Sequence, residues 1–363
     1  MLIYACVSGH GFGHGSRVAA VLSALHQLQP HWRLVLSTPL APAFLNLAFG
    51  PVPFQQRPCR WDVGVIQADA LGADAEATLA ALDQLQQRLP EQIETEVRWL
   101  RSQREPVLVL GDVAPAAAAV AHALGAPLVW MGNFGWDAIY RPMGAAFDPW
   151  VERALAAYRQ GDALIQCPFS MPMPWGVPTT PVGLTPGRPR HPIEQLKRRL
   201  PLLQPRERTV LVGFGGLGLS LDPSLFNRWP DHHFLVSDPS LCSDAAHVTL
   251  LPPDLRPLEW MPLCGRILTK PGYSTFCEAL ATGLGVHLVR REDFAEAPVL
   301  EAALQRHGWH RLLSRAQLEQ GDWQLDQPLV APLADPLALD GDRAAAEVIF
   351  ATANRMNAAV VDG

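Results

Sequence analysis

The chain has 363 residues, of which 48% are hydrophobic and 18% are charged, and at roughly 150 residues per domain this length predicts two domains with substantial cores. The composition excludes a disordered or fibrous chain. The net charge of -6 at pH 7 lacks the basic excess that binding to phosphate backbones requires, so we expect no nucleic-acid partner.

The first half of the chain alternates between short β-rich runs and helical patterns. Strands are predicted at 2–7, 33–37, 107–110 and 128–131, with a further one ending near 165. Helices are predicted at 17–28, 75–101 and 115–124, and Pro90 is expected to begin a new helix inside the second of these. Such alternation predicts an α/β fold with a parallel sheet covered by helices on both faces.

A proline-rich segment follows. Residues 168–192 contain eight prolines, which fix φ and remove backbone donors, so we expect a stiff, irregular linker between an N-terminal domain at 1–167 and a C-terminal domain at 193–339. The second domain again alternates, with strands predicted at 209–212, 233–236, 267–269 and 286–289. Residues 340–363 are expected to form a final helix that can pack back on the first domain.

The cysteines and the apolar runs of the sequence indicate the cellular compartment of the chain. The six cysteines include no C-x-x-C pair, which indicates neither a zinc site nor a disulfide framework and fits a reducing compartment. The first apolar run, 2–7, is too short for a signal peptide. An uncharged stretch at 113–136 is interrupted by prolines, a glycine and an asparagine, so we predict a cytoplasmic chain with no transmembrane segment.

A glycine-rich loop follows the first predicted strand, with the sequence Gly9-His10-Gly11-Phe12-Gly13-His14. Glycines at such a junction let the backbone approach a ligand at a helix N-terminus. In this loop no G-x-G-x-x-G register fits, and no acidic residue ends the second strand, which disfavours a nicotinamide site here; the absence of Gly-Lys and G-x-S-x-G from the chain excludes P-loop ATPases and α/β-hydrolases. For the two histidines, ordinary loop residues bonded to nearby backbone are the alternative.

Polar residues also end two other predicted strands of the first half. Asp112 follows one, and Asn133-Phe134-Gly135-Trp136-Asp137 follows the next. Open α/β sheets bind ligands at the carboxyl ends of their strands, so these residues are candidates for the same site as the glycine-rich loop. A capping and packing cluster is the alternative for Trp136 and Asp137.

Two motifs in the second half are typical of phosphate binding. Gly213-Phe214-Gly215-Gly216-Leu217-Gly218 follows one strand, and Lys270-Pro271-Gly272-Tyr273-Ser274-Thr275 follows another and opens a helix. A lysine, two hydroxyls and the positive end of a helix dipole suit a diphosphate. Glu278, one turn on, can accept hydrogen bonds from a ribose, and the charged run 290–296 is either a sugar contact or a solvated turn.

A possible metal pair occurs once, as Asp340-Gly341-Asp342, the only D-x-D of the chain. Metal-dependent sugar transfer uses such pairs on Mg²⁺ or Mn²⁺. Its place at a helix start favours a capping role, so we assign no metal site.

In this order, the motifs resemble those of the GT-B glycosyltransferases, in particular the branch near family 28 that includes the peptidoglycan N-acetylglucosaminyl transferase. They look closest to the glycosyltransferase-like region that precedes the sugar kinase in plant L-arabinokinase. The resemblance implies two Rossmann-like domains facing across a cleft, with the acceptor side in the first domain and the nucleotide-sugar side in the second. It also implies no essential metal and no cofactor other than the nucleotide sugar as co-substrate.

The resemblance assigns roles to residues of this sequence. His14 corresponds to the acceptor-side histidine and Glu278 to the ribose-binding glutamate, and we expect His14 to be a base oriented by Asp112 or Asp137. The expected acceptor contacts are His10, Gly11, Phe12, Gly13, Asn133 and Trp136. The expected donor contacts are Gly215, Gly216, Lys270, Gly272, Tyr273, Ser274, Thr275, Glu278, Asp293 and Glu296, of which Asp293 and Glu296 stand where N-acetylglucosaminyl transferases carry glutamines.

The sequence therefore predicts a metal-independent glycosyltransferase that moves a sugar from a nucleotide diphosphate sugar to a hydroxyl acceptor. One alternative is a non-catalytic nucleotide-sugar sensor or partner of a sugar kinase, and another is a sugar-nucleotide epimerase on the same scaffold. The nucleotide, the sugar, the acceptor and the anomeric outcome are left open. Peripheral membrane contact is left open too, because some family 28 relatives use lipid-linked acceptors.

Overall fold

The computed structural model describes residues 1–66, 73–200, 202–214, 221–291 and 294–361. Their contacts divide the chain into two compact units. Unit 1 contains the described residues up to Thr185 together with those from Ala338 onward, and unit 2 contains those between Pro186 and Leu337. Three predicted donor contacts, Gly215, Gly216 and Asp293, lie outside the described residues.

Unit 1 is built on a parallel sheet. Its strands are β1 (Leu2–Val7), β2 (Arg33–Ser37), β3 (Gln55–Arg57), β4 (Val107–Asp112), β5 (Leu128–Gly132), β6 (Ala163–Gln166) and β7 (Thr179–Pro181). Within the described part of the chain they lie in the order β3-β2-β1-β4-β5-β6-β7. Because β1 pairs with β2 on one side and β4 on the other, the strand order reverses at β1, where doubly wound sheets bind ligands.

Helices cover this sheet. They are α1 (Phe12–Leu28), α2 (Pro42–Phe49), α3 (Ala75–Ser102), α4 (Ala117–Leu124), α5 (Trp136–Tyr140) and α6 (Asp148–Tyr158). The prediction that Pro90 begins a new helix is wrong, since α3 continues through it. Proline removes one helical hydrogen bond, but buried residues on both sides of Pro90, among them Leu85 and Val97, keep the two halves of α3 packed.

The proline-rich segment is not an irregular linker throughout. Strand β7 lies inside it and pairs with β6, and Trp175 and Leu184 are buried in unit 1. Proline is tolerated in an edge strand because its missing N–H takes nothing from the ladder there. Residues up to 185 therefore belong to unit 1 and the rest of the segment to unit 2.

Unit 2 is built on a second parallel sheet. Its strands are β8 (Thr209–Gly213), β9 (His233–Val236), β10 (Val248–Leu250), β11 (Arg266–Thr269), β12 (Gly285–Val289) and β13 (His310–Leu313). Among the described residues the order is β10-β9-β8-β11-β12-β13, so the reversal falls at β8. The helices are α7 (Ile193–Arg199), α8 (Pro257–Trp260), α9 (Tyr273–Thr282), α10 (Ala297–His307) and α11 (Arg315–Glu319).

The last helix, α12 (Gly341–Val361), returns to unit 1. Its residues Ala345, Ile349 and Ala353 are fully buried, it packs against α1, and the ring of Phe350 lies 5.7 Å from that of Trp32. The helix begins where the Gly341 N–H donates to the Leu184 carbonyl. No helix of the described ranges has both the length and the apolar character needed to cross a bilayer.

Candidate functional site

The glycine-rich loop places His14 at the start of α1. Gly11 is the N-cap residue of that helix, and α1 begins at Phe12. His14 and Arg17 are three residues apart, so both side chains lie on the same face of the helix. Both are buried, next to the end of β4, whose Asp112 pairs with Val7 of β1.

These residues form one buried hydrogen-bond network. His14 Nδ1 lies 2.8 Å from Asp112 Oδ2. Arg17 donates to Asp112 Oδ1 from Nε at 2.9 Å and from Nη2 at 2.5 Å, and its Nη1 donates to Asn133 Oδ1 at 2.7 Å. The structure thus brings together His14, Asp112 and Asn133, three residues predicted from the sequence.

The carboxylate of Asp112 decides which ring nitrogen of a neutral His14 carries the proton. Burial raises the pKa of Asp112, but the Arg17 and His14 charges and their hydrogen bonds outweigh burial and hold that pKa below its usual range. An ionised carboxylate only accepts hydrogen bonds, so His14 Nδ1 must carry the proton of the contact. In the neutral ring, Nε2 is then unprotonated and can act as a base.

Asp137 and Trp136 lie elsewhere. Trp175 Nε1 donates to Asp137 Oδ1 at 3.4 Å, so Asp112, and not Asp137, orients His14, and the prediction for Asp137 is corrected. Burial raises the pKa of Asp137. Trp136 is only 1% exposed and stacks on Tyr140. In α5, Asp137 thus contacts Trp175, while Trp136 packs between Tyr140 and the His10 ring.

The other residues of the glycine-rich loop surround this network. His10 Nδ1 accepts from the Val65 N–H at 3.3 Å, and its ring meets the Trp136 ring edge-on at 5.3 Å. Phe12 is 43% exposed and packs against Phe44. A side chain at Gly11 would meet no atom within 4 Å, so the backbone there is open to a ligand.

Two residues of this region were missed in the sequence. Arg17 had a usable signal, since it follows His14 at helical spacing. Asp62 had none: it lies in a loop without periodicity, and only the fold brings its carboxylate to Trp136, whose Nε1 donates to Asp62 Oδ2 at 2.9 Å.

The predicted phosphate motifs lie at neighbouring strand ends of unit 2. Thr269 of β11 pairs with Gly213 of β8, and its hydroxyl donates to the Gly213 carbonyl at 2.6 Å. Lys270 follows directly, and Gly272 is the N-cap residue of α9. Helix α9 therefore points its positive end at the place where the strand order reverses.

The side chains at this corner are polar and partly buried. Burial and, to a smaller extent, the positive charge of Arg291 together lower the pKa of Lys270 to about 8. Ser274 and Tyr273 are buried in the first turn of α9, while Thr275 is half-buried beside Gly272. Two cations held close together in a low-dielectric corner repel each other, and a bound anion relieves that repulsion.

Glu278 and Glu296 complete the predicted donor residues that the structure describes. Burial raises the pKa of Glu278 to about 7, with Arg256 opposing and Glu259 adding to that rise. Glu296 is buried at the start of α10. A carboxyl group with a pKa near 7 either accepts or donates a hydrogen bond, as contact with ribose hydroxyls requires.

The D-x-D motif lies at the start of a helix. Gly341 begins α12, and the Ala344 N–H donates to the Asp340 carbonyl. In the part of the chain that the structure describes, no three His, Cys, Asp or Glu residues are grouped as metal ligands.

Comparison with solved structures shows similarity to glycosyltransferases. The Phytolacca americana UGT2 complex with UDP-2fluoro-glucose and pterostilbene has a TM-score of 0.61 at 14% identity, covering 97% of this chain and 94% of that chain. Medicago truncatula UGT71G1 complexed with UDP-glucose has a TM-score of 0.59 at 14% identity, covering 100% and 95%. The spinosyn forosaminyltransferase SpnP has a TM-score of 0.56 at 14% identity, covering 97% and 94%.

Sequence comparison shows similarity to a plant sugar kinase. L-arabinokinase of Arabidopsis thaliana is 30% identical over 336 residues, which are 87% of this chain but 31% of that protein. The chain thus spans about a third of the curated relative that it matches. No protein-family model matches. The predicted α/β architecture and the resemblance to L-arabinokinase are confirmed, and the chain has the GT-B fold of the glycosyltransferases.

Proposed function

We propose that this chain is a glycosyltransferase, similar to the family 28 branch, that transfers a hexosyl or other sugar from a nucleotide diphosphate sugar to a hydroxyl acceptor without a metal. The observation that carries this proposal is the buried contact between His14 Nδ1 and Asp112 Oδ2 at 2.8 Å. It lies at the strand-order reversal of unit 1, the usual ligand edge of such a sheet. The GT-B fold supports the reaction class.

The reaction assigns one step to His14. Its Nε2 takes the proton of the acceptor hydroxyl as the oxygen attacks the anomeric carbon, and the bond between that carbon and the diphosphate oxygen breaks. The sugar leaves with the acceptor oxygen, and a nucleoside diphosphate is released. Asp112, already ionised, stabilises the positive charge that forms on the His14 ring.

Unit 2 supplies the groups for the leaving diphosphate. Lys270, the first-turn N–H groups of α9 at Ser274 and Thr275, and the helix dipole place positive charge where the leaving group gains negative charge. Glu278 binds the ribose. Gly215, Gly216, Asp293 and Glu296 complete the proposed donor contacts by the sequence argument.

A second candidate is a non-catalytic nucleotide-sugar-binding partner of a sugar kinase. The match to 31% of a protein named L-arabinokinase favours it, because a segment of a kinase can bind without turning over. This candidate predicts nucleotide-sugar binding with no product, and it predicts that His14 is dispensable.

The test compares the wild type with His14→Ala. We expect binding of UDP-glucose, used as probe, in both proteins, and transfer to a panel of hydroxyl compounds to fall by about 10²- to 10⁴-fold in the variant. His122→Ala, an exposed histidine on α4 of the same unit, is the matched control and should retain full activity. Undiminished transfer by His14→Ala would remove the base assignment, and binding without any wild-type product would favour the second candidate.

A further inference from the structure

Tyr158, the last residue of α6, places its hydroxyl between the ends of two neighbouring strands. The hydroxyl donates to the Val113 carbonyl at 2.6 Å, directly after β4. It also accepts from the Trp136 N–H at 3.0 Å, in the chain that follows β5. Because Asp112 is the last residue of β4 and Asn133 directly follows β5, one phenol joins the two backbone segments that carry these members of the buried hydrogen-bond network.

Aromatic packing holds the phenol itself in place. Tyr158 is fully buried, its ring stacks on that of Trp175 with the centroids 3.9 Å apart, and it meets the Trp130 ring edge-on at 5.1 Å. A Cβ at Gly135 would lie 2.8 Å from Tyr158 Cε2, so the chain after β5 passes directly over the ring. Burial raises the pKa of Tyr158 well above its usual range, and the hydroxyl therefore keeps the proton that it donates to Val113.

Val113 has a backbone conformation that costs free energy. Its φ is +54°, in the left-handed region that β-branched residues rarely adopt. A strained residue of this kind persists only where the surrounding contacts determine its conformation. Here those contacts are an antiparallel bridge to Val7 and the hydrogen bond from Tyr158. The backbone of Asp112 is therefore fixed by the sheet on one side and by this turn on the other.

We propose that Tyr158 is a positioning residue for the transfer reaction, whose hydroxyl holds the Asp112 carboxylate in contact with His14 Nδ1 by fixing the backbone that carries the carboxylate. This inference rests on the proposed function. Both hydrogen bonds of the hydroxyl go to backbone groups, so Tyr158 acts on the acceptor only through Asp112 and His14. A small displacement of the carboxylate would release the ring proton from Nδ1, and misplacing a base in this way slows the reaction without weakening binding.

The test compares Tyr158→Phe with Tyr4→Phe. Phenylalanine keeps the ring and its packing and removes only the hydroxyl. Tyr4 is the matched control because it is also fully buried and its hydroxyl also has two hydrogen-bond partners, Ser37 and Glu96, but it lies inside β1. With UDP-glucose as donor, we expect kcat of Tyr158→Phe to fall by about ten- to a hundredfold at an unchanged acceptor KM. Tyr4→Phe should retain the wild-type kcat, although both variants lose buried hydrogen bonds and should unfold at a lower temperature than the wild type.

The tautomer of His14 gives a readout that does not need turnover. Long-range ¹H–¹⁵N NMR of protein with labelled histidine distinguishes a proton on Nδ1 from one on Nε2, and the loss of a signal in His14→Ala identifies His14. We expect the Nδ1 form in the wild type and in Tyr4→Phe, and a mixture of both forms in Tyr158→Phe. If the wild type shows no transfer but the tautomer depends on Tyr158 and not on Tyr4, the proposed function fails and the positioning role stands. An unchanged tautomer in folded Tyr158→Phe overturns the role whatever its kcat, and so does an equal fall of kcat in both variants.

Hydrogen exchange of the wild type tests the same contact without a variant. Trp136 is the first residue of the five-residue helix α5, and amides at a helix start exchange fast when they have no partner. Because Tyr158 accepts from the Trp136 N–H, this amide should exchange as slowly as the amides of β5. Exchange as fast as that of a helix-start amide without a partner would overturn the assignment of Tyr158.

Discussion

Arg17 is the residue that organises the His14 network. It occupies Oδ1 of Asp112 with two N–H groups, which leaves Oδ2 for His14, and it reaches Asn133 with its remaining nitrogen. One guanidinium therefore keeps the carboxylate ionised and also sets its orientation. Arg17 acts on the acceptor only through Asp112 and His14, so it is a positioning residue.

Replacing Asp112 by asparagine tests whether a carboxylate oxygen at Oδ2 is needed to hold the proton on His14 Nδ1. An amide can donate to His14 Nδ1, which would move the ring proton to Nε2 and remove the base. We expect kcat to fall by about 10²- to 10⁴-fold, with the dissociation constant of UDP unchanged, as measured by steady-state kinetics and calorimetric titration. In the variant, the buried Arg17 guanidinium also loses its carboxylate partner. We therefore expect the free energy of unfolding of the variant to fall by about 3–5 kcal/mol. Wild-type kcat in a folded variant would refute the tautomer assignment.

The proposed contact between Lys270 and the diphosphate predicts a pH dependence of nucleotide binding. Because burial and Arg291 lower its pKa to about 8, the side chain is charged below that pH and increasingly neutral above it. The affinity for UDP should therefore fall as pH rises from 7 to 9.5, by about tenfold for one charge-assisted hydrogen bond. Calorimetric titration across this range measures it, with Lys270→Met as the control that binds weakly and loses the pH dependence. A wild-type affinity that stays constant across the range contradicts the role of Lys270.

Among the elements, the segment 58–66, which follows β3, shows how a glycine fixes the position of a neighbouring side chain. Gly64 has φ +75°, and a Cβ built on it would overlap the His10 ring. Gly125, the C-cap residue of α4, also has a positive φ of +63° but has no atom within 4 Å of that position. Alanine at Gly125 would therefore introduce backbone strain alone, whereas alanine at Gly64 would introduce backbone strain and also displace the His10 ring.

Alanine at each glycine turns this contrast into a measurement. Gly125→Ala should lower the free energy of unfolding by about 1–2 kcal/mol and leave transfer unchanged. Gly64→Ala should lower the free energy further and also raise the acceptor KM, because the His10 ring must move away from Val65 and Trp136. Denaturant unfolding and steady-state kinetics supply the two values. Equal effects of both substitutions on the acceptor KM would show that the position of the His10 ring does not influence acceptor binding.

The elements that the sequence predicted well are mostly buried strands. Strands β1, β2 and β9 have the bounds predicted for them, because a strand covered on both faces is a continuous apolar run with clear ends. Two of the errors came from proline. Local rules end a helix at Pro90 and a sheet before β7, but packing on either side of Pro90 and an edge position for β7 remove most of the expected cost.

For the whole molecule, parallel topology explains which part of the site was predictable. His14, Asp112 and Asn133 follow β1, β4 and β5, and the carboxyl ends of neighbouring parallel strands meet at one edge. Lys270 and Gly213 are brought together in unit 2 by the same rule. Asp62 follows β3, a strand of three residues that the sequence did not predict, and its contact with Trp136 depends on the tertiary fold.

The return of α12 to unit 1 makes the stability of the first unit depend on the last residues of the described chain. Ile349 is fully buried, so Ile349→Ala should lower the free energy of unfolding of unit 1 by about 2–5 kcal/mol. Glu347→Ala, at an exposed position two residues before it, should change it by less than about 0.5 kcal/mol. Because all the proposed diphosphate contacts lie in unit 2, calorimetric titration should give the same UDP affinity for Ile349→Ala as for the wild type. Weakened UDP binding in the folded variant would mean that the donor site depends on unit 1 as well, contrary to the assignment of Lys270, α9 and Glu278 as a self-contained corner.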